Sequence, residues 1–126
     1  MKPRLSVLEG RFTIHRFSPD AAIPPEVLAD GFFSVTRTDE ELSIVCSSAT
    51  ALDSGKAEGG WSCIKVLGPL DFSLTGILAG ISAVLAGAGI SLFAVSTFDT
   101  DYVLVRSERL TAAREELQRA GYFFEG

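Results

Sequence analysis

Residues 93–105 read FAVSTFDTDYVLV. Two apolar, strand-like runs flank Ser96, Thr97, Phe98, Asp99, Thr100 and Asp101. A hairpin closes with two or so turn residues, commonly including glycine. This turn has no glycine, although the chain holds twelve. The stretch therefore reads as two antiparallel strands, ISLFAVST and DYVLVRS, joined by a turn with more hydrogen-bonding groups than closure requires.

Working outward, apolar periodicity identifies the neighbouring elements. WSCIKVLG (61–68) has the composition of a strand. SLTGILAGISAVLAGAG (73–89) has Ile77, Leu78, Ile81, Val84, Leu85 and Ala88 at helical spacing, which predicts a helix with one apolar face. Its other face, Gly76, Ala79, Gly80, Ala83 and Gly87, carries no charge, and a helix face in water normally does, so a cover over it is expected. SERLTAAREELQRAG (107–121) predicts an amphipathic helix with Ser107 as N-cap and Gly121 as its stop, and YFFEG ends the chain as a short strand. The order β-α-β-β-α-β is the ferredoxin-like arrangement, an α+β fold in which an antiparallel sheet has both helices on one face.

Residues 72–98 contain no charge, enough length to cross a bilayer, and Gly76 and Gly80 have the GxxxG spacing of paired membrane helices. The GAGIS segment at 87–91 divides the run into a helix and a strand, each too short to span, so no membrane association is expected.

The first half repeats part of the plan. At an offset of sixty, FSVTRTDEELSIV (33–45) lies on FAVSTFDTDYVLV, with Phe33 on Phe93, Thr36 on Ser96 and Asp39 on Asp99. At an offset of fifty, Ile14 falls on Ile64 and SPD at 18–20 falls on GPLD at 68–71. PPEVLADG (24–31) predicts a short helix, and SSATALDSGKAEGG (47–60) reads as a loop where a second helix would stand. The expected organisation is a truncated unit over 1–60 and a complete one over 61–126, packed side by side as one sheet. Sheet edges also invite pairing between chains, so a homodimer is expected over a monomer.

Composition limits the function. A net charge of −5, from eleven basic and sixteen acidic residues, provides no electrostatic footprint for nucleic acid. Cys46 and Cys63 stand apart in strand-like runs and read as buried thiols of a reducing compartment, against a disulfide or metal as the other reading. The N-terminus lacks the apolar core of a signal peptide, consistent with a cytoplasmic protein. His15 is the only histidine and lacks the companions a metal site needs. No set of nucleophile, base and orienting group can be assembled, so no catalytic residue, metal or cofactor is expected.

The plan, with GPLDFSLTGILAGISAVLAGAGISLFAVSTFDTDYVLVRSERLTAAREELQRAGY, resembles the ACT domain family, in the branch of the amino-acid-sensing ACT domains of CASTOR-type cytosolic arginine sensors. The resemblance is specific over residues 61–125. Over 1–60 it rests on the repeat. It implies a ferredoxin-like ACT domain paired with a truncated ACT-like repeat. It also implies a regulatory or sensor module that binds an amino acid without catalysis, the ligand lying between the loop before the first helix and the Thr-Phe-x-x-Asp run, here Thr97, Phe98 and Asp101. An ACT-like interaction module with a vestigial pocket and a small ferredoxin-like enzyme are the alternatives.

An amino acid presents a carboxylate and an ammonium together. The unpaired backbone N–H groups of Asp71, Phe72, Ser73, Leu74, Thr75 and Gly76 at a helix start suit the carboxylate. Asp99 or Asp101 suits the cation, with Ser96, Thr97 and Thr100 as hydrogen-bonding groups. No basic residue lies between Asp71 and Asp101, which points to a zwitterionic or cationic amino acid. Each residue also has a plainer reading: Asp71 as an N-cap, Asp99 and Asp101 as solvated turn residues, Phe98 as core.

Overall fold

The computed structural model describes residues 2–68 and 76–126. Eight strands and two α-helices follow in order: β1 (Arg4–Val7), β2 (Phe12–Phe17), a 3-10 helix (Pro25–Ala29), β3 (Ser34–Arg37), β4 (Leu42–Ser47), β5 (Lys56–Val66), α1 (Ile77–Gly87), β6 (Leu92–Ser96), β7 (Asp101–Arg106), a 3-10 turn (Ser107–Arg109), α2 (Leu110–Arg119) and β8 (Phe123–Phe124). They form two compact units, a larger one of residues 1–9 and 62–126 and a smaller one of residues 10–61.

In the larger unit the strand order is β6-β7-β5-β1-β8. β1 runs antiparallel to β5, with Leu5 opposite Val66 and Val7 opposite Ile64, and parallel to β8, with Leu5 opposite Phe124. The sheet is therefore mixed rather than purely antiparallel. The N-terminal RLSV segment takes the place beside β5 that a ferredoxin-like plan gives to the last strand, and moves the two-residue β8 one position outward. Both helices pack on one face, where Ile81 and Leu85 of α1 and Ala113 and Leu117 of α2 meet Leu5, Ile64, Val66, Val103 and Val105 in one buried cluster. Each Val, Leu or Ile side chain among them contributes about 1.5–3 kcal/mol by leaving water. The apolar spacing of α1 is realised in full, since Ile77, Leu78, Val84 and Ala88 pack against the same cluster.

Both helices stop in the same way. Gly89 (φ 72) and Gly121 (φ 102) turn the chain into the left-handed region, and Ile90 and Tyr122 donate back to Leu85 and Leu117 at 2.9 and 3.0 Å. The start of α2 differs from the sequence reading. Ser107 makes no cap bond. Its Oγ lies 2.8 Å from Ser62 Oγ, and α2 begins three residues later, at Leu110. Of the small face of α1, Gly80 is covered by Tyr122, whose Oη would stand 2.9 Å from an added Cβ. Gly76, Ala79, Ala83 and Gly87 are exposed.

In the smaller unit the order is β3-β4-β2-β5. Pro24 and Pro25 confine the predicted helix to five residues of 3-10 geometry, which seat Val27 on Leu42, Ile44 and Cys46. The loop after β4 is shorter than its composition suggests, because residues 56–60 already belong to β5. Their glycines build a bulge: β5 advances from Glu58 to Trp61 while β2 advances from Ile14 to Phe12. The remaining loop is pinned by side chains. Asp30 accepts the Ser47 N–H (3.1 Å) and the Thr50 hydroxyl (2.6 Å), and Ser54 Oγ lies 2.8 Å from His15 Nδ1.

Candidate functional site

The β6–β7 turn accounts for part of its own polarity. Thr97 closes it, its N–H donating to Thr100 O at 2.8 Å and its hydroxyl to the same oxygen at 3.0 Å, while the Thr100 N–H donates to Thr97 Oγ1 at 3.3 Å. Thr100 is buried, and its hydroxyl donates to Val66 O at 2.6 Å. A buried hydroxyl so placed anchors the turn beside the end of β5, from which the chain leads to α1. Two of the predicted binding hydroxyls thus have structural partners.

Of the remaining residues Ser96, Phe98 and Asp99 are exposed and Asp101 is half-buried. Ser96 and Asp101 are opposite each other in the ladder, and the Ser96 hydroxyl donates to Asp101 Oδ1 at 2.6 Å. By strand alternation Asp101 shares the face of Val103 and Val105, which is the helix side of the sheet. Phe98 is 79% exposed, so its ring is presented at the turn and is not core. Asp99 is exposed. Gly76 stands at the start of α1 with φ 84 and no side-chain cap. Asp71, Phe72, Ser73, Leu74 and Thr75 lie outside the described residues.

The hairpin of the smaller unit closes with the same turn. Thr38 N–H donates to Glu41 O at 2.9 Å, and Thr38 Oγ1 accepts the Glu41 N–H at 3.1 Å. Thr38 therefore falls on Thr97 and Glu41 on Thr100, an offset of 59 and not the sixty that residue likeness suggested. A shift of one residue reverses every side chain in a strand. The buried faces decide the register: Leu42, Ile44 and Cys46 face their unit's core as Asp101, Val103 and Val105 face theirs. Arg37 and Leu42 thus occupy the positions of Ser96 and Asp101. Sequence reading missed Arg37. Its guanidinium donates from Nη1 to Pro19 O and from Nη2 to Ala21 O at 2.8 Å.

The other chemically capable groups are quiet. Burial pushes the Cys46 thiol up to about 11, with the Asp30 carboxylate adding to it, and pushes Cys63 up to about 12. Neither is a ready thiolate. Among the described residues no group of three His, Cys, Asp or Glu side chains could hold a metal, and no helix is long and apolar enough to cross a membrane.

Comparison with known proteins places this geometry. The ACT domain family model matches residues 56–119, and a second family model, of an N-terminal domain, matches residues 10–50. The chain is 33% identical over 124 residues to the human protein named cytosolic arginine sensor for mTORC1 subunit 1, covering 90% of this chain and 37% of the sensor. It therefore spans little more than a third of that relative's length. The crystal structure of protein Atu0741 from Agobacterium tumefaciens superposes with a TM-score of 0.92 at 41% identity, over 99% of this chain and 93% of that one. Clostridium acetobutylicum aspartate kinase shares the fold at 11% identity, with a TM-score of 0.66 over 89% of this chain and 33% of its own.

Proposed function

This chain belongs to the ACT domain family, and we propose that it is an amino-acid-binding regulatory or sensor module without catalytic activity. The observation that supports this best is the Ser96–Asp101 pair. It sets a carboxylate on the helix side of the sheet, at the strand end where the turn is anchored to Val66. A cationic group of a ligand there gains a charge-assisted hydrogen bond. Phe98 offers its exposed ring, and the backbone of residues 71–76 is the proposed seat of the ligand carboxylate. A zwitterionic or cationic amino acid fits this arrangement better than a dicarboxylate. The relatives' name specifies arginine, which belongs to the cationic class.

The same reading divides the chain into a truncated ACT-like unit over residues 1–60 and an ACT domain over residues 61–126, the two units pairing with each other. It also takes the protein as cytoplasmic and homodimeric. The exposed, uncharged residues of α1 support the dimer, as does β6, which pairs with β7 alone among the described residues. Sedimentation at micromolar concentration tests it.

Calorimetry of the whole chain against the twenty amino acids tests the function. Binding of one or a few zwitterionic or basic amino acids at one site per chain is expected. If none gives a saturable heat, the second reading holds: an interaction module whose pocket is vestigial. The Thr97 and Thr100 hydroxyls, both engaged within the fold, favour that alternative.

A further inference from the structure

The two hairpins share a turn but differ in the pair that flanks it. In the larger unit that pair is Ser96 and Asp101, and in the smaller it is Arg37 and Leu42. Arg37 reaches back from the hairpin to the loop that follows β2, where its two terminal nitrogens bond the carbonyls of Pro19 and Ala21. By sequence that loop aligns with the segment that follows β5, Ser18-Pro19 falling on Gly68-Pro69. A guanidinium therefore bridges strand-to-helix loop and hairpin in the smaller unit. Those correspond to the two walls proposed for the ligand of the larger unit.

We propose that Arg37 is a built-in cation that fills the smaller unit's version of the site and closes it to free ligands. The residue exchange between units is reciprocal. Where the smaller unit has a long cationic side chain, the larger has the short hydroxyl of Ser96. Where the smaller has the apolar Leu42, the larger has the carboxylate of Asp101. Planar donors in a fixed fork suit two carbonyl acceptors, which a point-charge ammonium matches poorly. Arg16 ties the same hairpin from β2, its Nη2 donating to Glu40 O at 2.9 Å, and the Ala21 N–H donates to Ser18 O at 3.1 Å, so hairpin and acceptor loop each keep a tie without Arg37. One chain accordingly takes one ligand, although it contains two hairpins of the same design. The location of the site comes from the preceding section; the plug itself rests on the smaller unit's own contacts.

Emptying the site tests the proposal. Arg37→Ser, which writes the larger unit's residue into the smaller, and Arg37→Ala are titrated with methylguanidinium chloride while backbone amide NMR signals are followed, with methylammonium chloride as the ionic control. Arg37 is exposed, so both variants are expected to fold. Saturable shifts are expected at the amides of residues 20–22 and 38–41 in both variants, half-complete at millimolar methylguanidinium. They should be absent from the unsubstituted protein and from Arg16→Ala. Equal shifts in the unsubstituted protein, equal shifts with methylammonium, or no saturable shift in either variant would overturn the plug. The amino-acid reading is scored separately, on the amides of residues 96–101 of the unsubstituted protein under L-arginine, so either idea can fail alone.

Discussion

The hairpin of residues 34–47 and the hairpin of residues 92–106 close with the same threonine-centred turn, yet one ends in Arg37 and Leu42 and the other in Ser96 and Asp101. The shared part is architecture. Thr38 and Thr97 each receive a backbone N–H on the side chain and donate their own N–H across the turn. Polarity at these positions satisfies backbone groups that would otherwise go unpaired. The unshared part includes chemistry, and the last ladder pair before the turn carries its clearest exchange. Counting polar residues in a turn thus overstates a binding site, whereas comparing two copies of the same turn isolates the residues that differ for another reason.

The strongest way to break this comparison is to make the pairs alike. Asp101→Asn removes the larger unit's charge, and a hydrogen bond to a charged group contributes about 1.5–3 kcal/mol. Ligand affinity should fall about ten- to a hundredfold by calorimetry. Stability should change by less than about 1 kcal/mol, since one hydrogen bond from Ser96 is at stake. Asp99→Asn is the control. A loss of affinity confined to Asp99→Asn would assign the counter-charge to the turn and remove the ladder pair from the argument.

Thr100 sharpens the division between architecture and chemistry. Its buried hydroxyl donates to Val66 O at 2.6 Å, whereas Glu41, in the equivalent place, is half-buried and closes the same turn through its backbone. Thr100→Val keeps the volume and takes the hydroxyl donor from Val66 O, at a cost of about 0.5–1.5 kcal/mol. Urea unfolding should register that loss, and Glu41→Gln should stay within about 0.5 kcal/mol. If Thr100→Val leaves stability intact but abolishes amino-acid binding, Thr100 belongs to the site after all.

The sequence disclosed the larger unit well because its signals are local. The six apolar positions of α1, the glycine stops at 89 and 121, and the strands on either side of residues 97–100 follow from spacing within one element. Three features were less legible, each for want of a local signal. The Arg4–Val7 strand pairs with a segment nearly sixty residues away, and four residues cannot announce their partner. Residues 56–60 look like a loop by composition, but the two glycines form a bulge inside β5. Arg37 was hidden by a repeat aligned one residue out of register, because Asp39 resembles Asp99 more than it resembles Phe98. Ladder pairing and turn hydrogen bonds correct that register, and residue likeness alone does not.

A smaller effect concerns the helices, which also separate the units, eleven residues in α1 against five in the 3-10 helix. Gly80 lies inside α1 with Tyr122 Oη 2.9 Å from the position of an added Cβ. Alanine in place of a helical glycine gains about 1 kcal/mol. Overpacking against a buried, rigid ring costs about 1–3 kcal/mol. Gly80→Ala should therefore lower stability by about 1 kcal/mol net. The sign should reverse in a Tyr122→Phe background, where the obstructing oxygen is gone. A double-mutant cycle by urea unfolding measures the coupling. Additive effects would mean that Gly80 is not kept small by Tyr122.

The smallest effect lies in the loop that stands where the smaller unit would have a second helix. Ser54 Oγ donates to Lys56 O at 3.1 Å, so its proton is committed and it accepts from His15 Nδ1–H at 2.8 Å. That fixes the tautomer with Nε2 unprotonated. Nε2 is buried, and among the described residues it has no partner. The ring stacks on Phe17 and is flanked in the ladder by Ile44 and Ala57, none of which offers a counter-charge. Asp53, beside Ser54, is exposed. Burial accordingly lowers the His15 pKa from its ordinary 6.5. As pH falls through 6.5 the unfolded chain takes up a proton before the folded one, so the stability contribution is present above 6.5 and is lost below it. The slope cannot exceed about 1.4 kcal/mol per pH unit for one proton. Urea unfolding at three pH values from neutral down to the onset of carboxylate titration should reveal it. His15→Gln should flatten the slope, because this is the chain's only histidine. An unchanged slope in His15→Gln would mean that acid acts elsewhere and that the loop is held without regard to the state of the imidazole.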